Sequence, residues 1–133
     1  MNFEWKGVFP ALLTPFTAND EIDLPLFETN LRAQLEAGVE GIILGGTLGE
    51  ASVLSTAEKE TLVKFALEKV NGKVPVIINI AEGSTREALQ QASYGKAWQC
   101  PKSGYKQRKL LQKLFAINFR FFSNNFIFAF LKL

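Results

Sequence analysis

Two kinds of hydrophobic pattern alternate along the first hundred residues: short unbroken apolar runs and longer amphipathic stretches. Gly7-Val8-Phe9-Pro10-Ala11-Leu12-Leu13, ended by Thr14-Pro15, predicts a strand buried on both faces, with Pro10 placing it near an end or beside a gap. Thr17 to Asp20 reads as a turn. From Leu24 to Ala37, the apolar positions Leu24, Phe27, Leu31 and Leu35 recur at three- and four-residue spacing between Glu28, Arg32 and Glu36. That spacing predicts an amphipathic helix, with Asp23 as its cap and Gly38 as its terminator.

Gly41-Ile42-Ile43-Leu44 predicts a second strand, which delivers the glycine-rich turn Gly45-Gly46-Thr47-Leu48-Gly49-Glu50. Ser55-Thr56-Ala57-Glu58 has capping-box spacing, and the helix it opens runs through Leu62, Phe65, Ala66 and Val70 to Asn71-Gly72. Val74 to Ile80 is the clearest strand, and Ser84-Thr85-Arg86-Glu87 repeats the capping pattern before a third helix expected to reach about Trp98. Strand–helix units in this order argue for an α/β protein with parallel strands and right-handed crossovers. A doubly wound sheet and a (β/α)8 barrel both fit the periodicity, and 133 residues is about half of the ~250 that a closed barrel needs.

Charge divides the chain. All 13 acidic residues lie between Glu4 and Glu87, against eight basic residues up to Trp98, so that stretch is net acidic. After Trp98 come seven basic residues, no acidic ones, and seven of the twelve Phe. The single Cys100 can form no internal disulfide, and the lack of His removes the commonest metal ligand and general base. No metal site and no cofactor are expected. The N-terminus has no basic region followed by an apolar core, which predicts a cytoplasmic protein.

Ligand sites in parallel α/β proteins lie at the carboxyl ends of strands, where Gly45 to Glu50 falls. Glycines there let backbone approach a ligand, successive N–H groups can hold an anion, and Thr47 adds a hydroxyl. By itself, a Gly-rich strand end is more often only a tight turn. It has neither the Gly-x-Gly-x-x-Gly spacing of a dinucleotide site nor the Lys-Ser/Thr pair of a Walker loop, so nucleotide binding is excluded.

Gly7, Ala11-Leu12-Leu13-Thr14-Pro15-Phe16, Asp23, Leu35, Gly38, Val39, Gly41, Gly46-Thr47-Leu48-Gly49-Glu50, Glu58, Val74-Pro75-Val76-Ile77 and Glu87-Ala88 form an ordered series. On that series the chain resembles the dihydrodipicolinate synthase and N-acetylneuraminate lyase family of class I Schiff-base aldolases. The resemblance implies a TIM barrel of which this chain supplies the N-terminal portion, about three βα units. It implies a Schiff base between a lysine of the sixth strand and pyruvate or a related 2-oxo acid, with no other cofactor. A tyrosine near the end of the fourth strand relays protons, assisted by a threonine that corresponds to Thr47. The resemblance also assigns substrate binding to Gly46, Thr47 and the backbone N–H of Leu48. The usual family residue at that last position is a second Thr; Leu48 keeps the N–H and loses a hydroxyl hydrogen bond worth ~1–3 kcal/mol to a charged group. A paralogous aldolase or dehydratase is therefore at least as well supported as the lysine-biosynthetic condensation. Glu50 is expected to fix the loop through backbone hydrogen bonds.

The family pattern stops near Trp98. This predicts a partial aldolase-type barrel over residues 1–98 and a divergent tail over 99–133, frame-shifted or disordered, with a basic helix from Tyr105 to Phe115. Neither Tyr94 nor Tyr105 follows a fourth strand, and Lys102, Lys106, Lys109 and Lys113 read as solvated charges, so the chain alone is expected to be inactive. The rival reading is a binding module whose basic aromatic tail contacts a membrane surface or nucleic acid. A non-native, aggregation-prone tail is the stronger expectation, with neither nucleic acid nor membrane as partner. Family members are typically homo-oligomeric, and the open edge of three βα units predicts self-association.

Overall fold

Each helix begins where a side chain satisfies its free N–H groups. In the computed structural model of the chain, which describes residues 6–82, 84–98, 122–123 and 126–132, α1 spans Leu24–Glu36 and opens with the Leu26 N–H donating to Asp23 Oδ1 at 2.9 Å. It ends at Ala37, where Gly38 at φ +78° takes the left-handed turn a Cβ would resist. α2, Thr56–Val70, opens on a complete capping box: the Glu58 N–H donates to Ser55 Oγ, and the Ser55 N–H donates back to Glu58 Oε2 at 2.7 Å. α3, Thr85–Trp98, repeats one half of the device, with the Glu87 N–H donating to Ser84 Oγ.

β1 (Ile42–Leu44) and β2 (Val76–Glu82) pair in parallel, with Ile43 opposite Ile77 and Leu44 opposite Ile78. The expected first strand is present only as an extended segment beside β1. It forms one parallel bridge, Ala11 to Ile43, with the Leu12 N–H donating to the Ile43 carbonyl and the Ile43 N–H to the Pro10 carbonyl, each at 2.9 Å. Pro10 has no N–H to offer, which shortens the ladder. Its start is pinned by the Val8 N–H on Glu40 Oε2 at 2.6 Å.

Leu12, Ile42, Leu44, Val76 and Ile78 pack with Phe27, Leu31, Leu62, Val63, Ala66 and Val70 into the main core between sheet and helices. Ile80 continues that face against Ala88 and Ala92 of α3. Between α1 and α2, Lys69 lies 3.0 Å from Glu28 and over the Phe65 ring, while Phe65 meets Phe27 edge to face.

The other edge of β2 carries a strand from the tail that the sequence pattern does not announce. β4 (Phe126–Lys132) runs antiparallel to β2 from Ile77↔Lys132 to Glu82↔Ile127, and β3 (Phe122–Ser123) pairs with β4 in turn. The sheet order is β1-β2-β4-β3. The basic helix expected from Tyr105 to Phe115 lies outside the described residues. Among the described residues, no helix is long and apolar enough to cross a membrane.

Candidate functional site

Three chain segments meet at the carboxyl end of the parallel strands. The central one leaves β1 through Gly45, whose φ of +61° turns the chain sharply and is strained for a residue bearing a Cβ. Gly46 continues extended, and Thr47–Gly49 forms a single 3₁₀ turn closed by the Gly49 N–H on the Gly46 carbonyl at 2.9 Å. The glycine-rich turn expected from Gly45 to Glu50 thus contains one short turn of 3₁₀, and the next helix starts only at Thr56.

A 3₁₀ turn leaves its first N–H groups without internal acceptors. Those groups belong to Thr47 and Leu48, and neither has an acceptor among the described residues. Both residues are exposed, Leu48 at 72%, and the Thr47 hydroxyl has no partner among the described residues. Glu50 holds the loop through its main chain: in the left-handed region at φ +58°, it donates to the Thr47 carbonyl and accepts from Val53 and Leu54.

The second segment follows Leu12. Thr14, 5% exposed, donates its hydroxyl to the Gly49 carbonyl at 2.8 Å. A Cβ on Gly49 would lie 2.9 Å from the Leu12 carbonyl oxygen, so the two loops are in backbone contact. The third segment is β2. Asn79, 6% exposed, donates from Nδ2 to the Gly45 carbonyl at 3.0 Å, and its Oδ1 is buried without a hydrogen-bond partner among the described residues. Further along β2, Glu82 Oε1 lies 3.3 Å from Nζ of Lys59, which is 9% exposed on α2. Gln91 of α3 reaches Thr56 at the start of α2.

The structure therefore gathers Gly46, Thr47 and Leu48 on one turn, which carries two N–H groups and one hydroxyl without partners among the described residues. Sequence reasoning missed the supports. Thr14 and Asn79 brace the turn from positions 35 and 34 residues away, separations that no local pattern encodes. Lys59 did leave a signal, since its spacing to Leu62, Val63, Ala66 and Val70 puts it on the buried face of α2. Among the described residues, no group of His, Cys, Asp or Glu could hold a metal ion.

Parallel βα units with a polar turn at a strand's carboxyl end define an α/β protein of the class whose ligand sites lie at that end of the strands. The sequence profile of the Dihydrodipicolinate synthetase family matches residues 4–100, and the chain belongs to that family. It is 44% identical over 97 residues to the 4-hydroxy-tetrahydrodipicolinate synthase of Methanopyrus kandleri, covering 72% of this chain and 32% of that protein. It is 39% identical over 88 residues to the N-acetylneuraminate lyase of Citrobacter koseri, covering 66% of this chain and 30% of that protein. Its backbone matches the crystal structure of dihydrodipicolinate synthase from Thermotoga maritima with a TM-score of 0.68 at 39% identity, over 71% of this chain and 32% of that one. The chain thus spans about a third of the length of these relatives, and its architecture is a partial α/β fragment of their TIM barrel.

Proposed function

We propose that the chain is the opening segment of a lyase or aldolase that acts on pyruvate or a related 2-oxo acid through a Schiff base, with Gly45–Glu50 as its carboxylate-binding strand end. The observation that carries this reading is the pair of exposed N–H groups on Thr47 and Leu48, unpartnered among the described residues. Two adjacent N–H donors match a carboxylate, and Gly46 leaves room for its approach. The Thr47 hydroxyl, without a partner among the described residues, would assist proton transfer. Leu48 contributes its N–H alone, so a paralogous 2-oxo acid aldolase or dehydratase is at least as well supported as the lysine-biosynthetic synthase.

Residues 1–98 carry the aldolase-type portion, and residues 99–133 are foreign to it. These 133 residues by themselves form no Schiff base. A nucleophilic lysine must be desolvated without a neutralising partner or set beside another cation, whereas buried Lys59 is committed to Glu82. Reduction with borohydride in the presence of pyruvate tests this: intact and peptide mass spectra are expected to show no adduct on any lysine. A single specifically labelled lysine would refute it. Binding is tested separately, since pyruvate is expected to move the Thr47 and Leu48 amide resonances of the labelled chain where chloride at equal ionic strength does not.

A further inference from the structure

The edge of β2 away from β1 is where a right-handed βα series would lay its next parallel strand, after α3. β4 occupies that edge and runs the opposite way along almost all of β2, from Ile77↔Lys132 to Glu82↔Ile127, with α3 against both strands. The Ile42 N–H donates to the Pro75 carbonyl at 2.9 Å, so Pro75, Ile77 and Asn79 turn their main-chain groups toward β1. Ile78, Ile80 and Glu82 therefore turn theirs to the other edge. Opposite them in the register stand Leu131, Ala129 and Ile127, which form the hydrogen-bonded pairs of the ladder, whereas Phe128 and Phe130 turn their main-chain groups away from β2. The pairing of β3 keeps the same parity, since Phe126 meets Ser123 on the side away from β2.

Without β4, Ile78, Ile80 and Glu82 would present a row of free donors and acceptors, a template for pairing with another chain. We propose that this edge is a strand-accepting surface whose occupant is the chain's own β4, and that pairing within one chain keeps it monomeric by excluding the β2 edge of a second copy. The tether decides between pairing within a chain and between chains. Residues 99–121 join α3 to β3 and β4. A strand tethered in this way has an effective concentration of order millimolar, about a thousandfold above a second copy at micromolar concentration. The edge that β4 itself presents is less inviting, because β3 pairs with its start and Lys132 ends it, a residue type that disfavours edge-to-edge pairing.

Hydrogen exchange on the labelled 133-residue chain tests this, together with its mass by sedimentation over a series of concentrations. The unaltered chain is expected to be monomeric, with the Ile78 and Ile80 amides exchanging as slowly as that of Ile77. Ala129→Pro removes a donor aimed at β2; it is expected to speed exchange at Ile78 and Ile80 by about a hundredfold, leave Ile77 slow, and bring concentration-dependent association. Phe130→Pro removes a donor aimed away from β2 and is expected to change none of these. Fast exchange at Ile78 and Ile80 in the unaltered chain, or a stable dimer of it, overturns the inference, and both readings stand even if Ala129→Pro fails to fold. A folded Ala129→Pro chain that stays monomeric, or equal effects from the two prolines, overturns it as well.

Discussion

Replacing Gly49 with Ala isolates the contact between the two loops of the candidate site. Gly49 lies in the 3₁₀ turn outside the left-handed region, so its backbone conformation suits alanine. At an open position of that kind, alanine would stabilise the chain by about 0.4–1 kcal/mol through the unfolded state. Here the new Cβ would come to 2.9 Å from the Leu12 carbonyl oxygen. Leu12 cannot simply retreat, because its N–H is bonded to the Ile43 carbonyl at 2.9 Å and its side chain is in the core. Forcing one extra methyl into such a contact costs about 1–3 kcal/mol. The balance is a net loss of about 1–2 kcal/mol, a fall in thermal midpoint of roughly 4–7 °C.

The Thr14 hydroxyl on the Gly49 carbonyl gives an internal check. Thr14→Val leaves that carbonyl without its donor at a cost of about 1–3 kcal/mol. The double variant should lose less than the two single losses combined, since both act on one contact. Urea unfolding of the four proteins, followed by circular dichroism, measures each value. An unchanged or raised midpoint for Gly49→Ala would refute the claim that the loops touch through their backbones.

Other expectations rest on separate features. The Ser55 hydroxyl and N–H hold the Glu58 carboxyl below its ordinary value of 4.5; a depressed folded-state pKa gives stability present above the unfolded value and lost as pH falls through the folded one. Acid titration of unfolding should therefore show Glu58→Gln to be destabilising at pH 7, with the difference shrinking below the carboxylate range. Lys59→Met should lower stability by about 2 kcal/mol because Glu82 loses its part-buried partner, and the Lys59→Met/Glu82→Leu pair should regain most of it in the same unfolding assay. Leu31, fully buried between α1 and the sheet, should cost about 2–5 kcal/mol on substitution by Ala, read from the urea midpoint.

The three helices were legible because their signals are local. Asp23, Ser55 and Ser84 each sit directly before an apolar period, and all three cap as their spacing predicts. The extended segment around Pro10 was harder, since one missing donor leaves its residues paired only by a bridge. The sequence from Phe126 to Lys132 carries no alternation of apolar and polar residues, and its partner β2 lies some fifty residues earlier. Within the site, the glycine turn announced itself by composition, whereas its braces did not. Asn79 is embedded in an apolar run that reads as buried on both sides, and such a run conceals which face any one member serves. The exposed N–H groups of Thr47 and Leu48 depend on how the 3₁₀ turn closes, a property of dihedral angles with no residue of its own to mark it.

The row formed by Ala11, Ile43 and Ile77 has a consequence for how insertions and deletions are tolerated. These residues lie level across the parallel segments, and side chains alternate strictly along each. A slip of β2 by one residue would turn Asn79 into the helix layer and bring Ile78 or Ile80 to the face it had occupied. The arrangement thus works as a parity rule with no intermediate state: β2 either presents its amide to Gly45 or presents a hydrocarbon. A single-residue length change near β2 is neutral only if the connection from Asn71 to Pro75 absorbs it completely before Val76 enters the sheet.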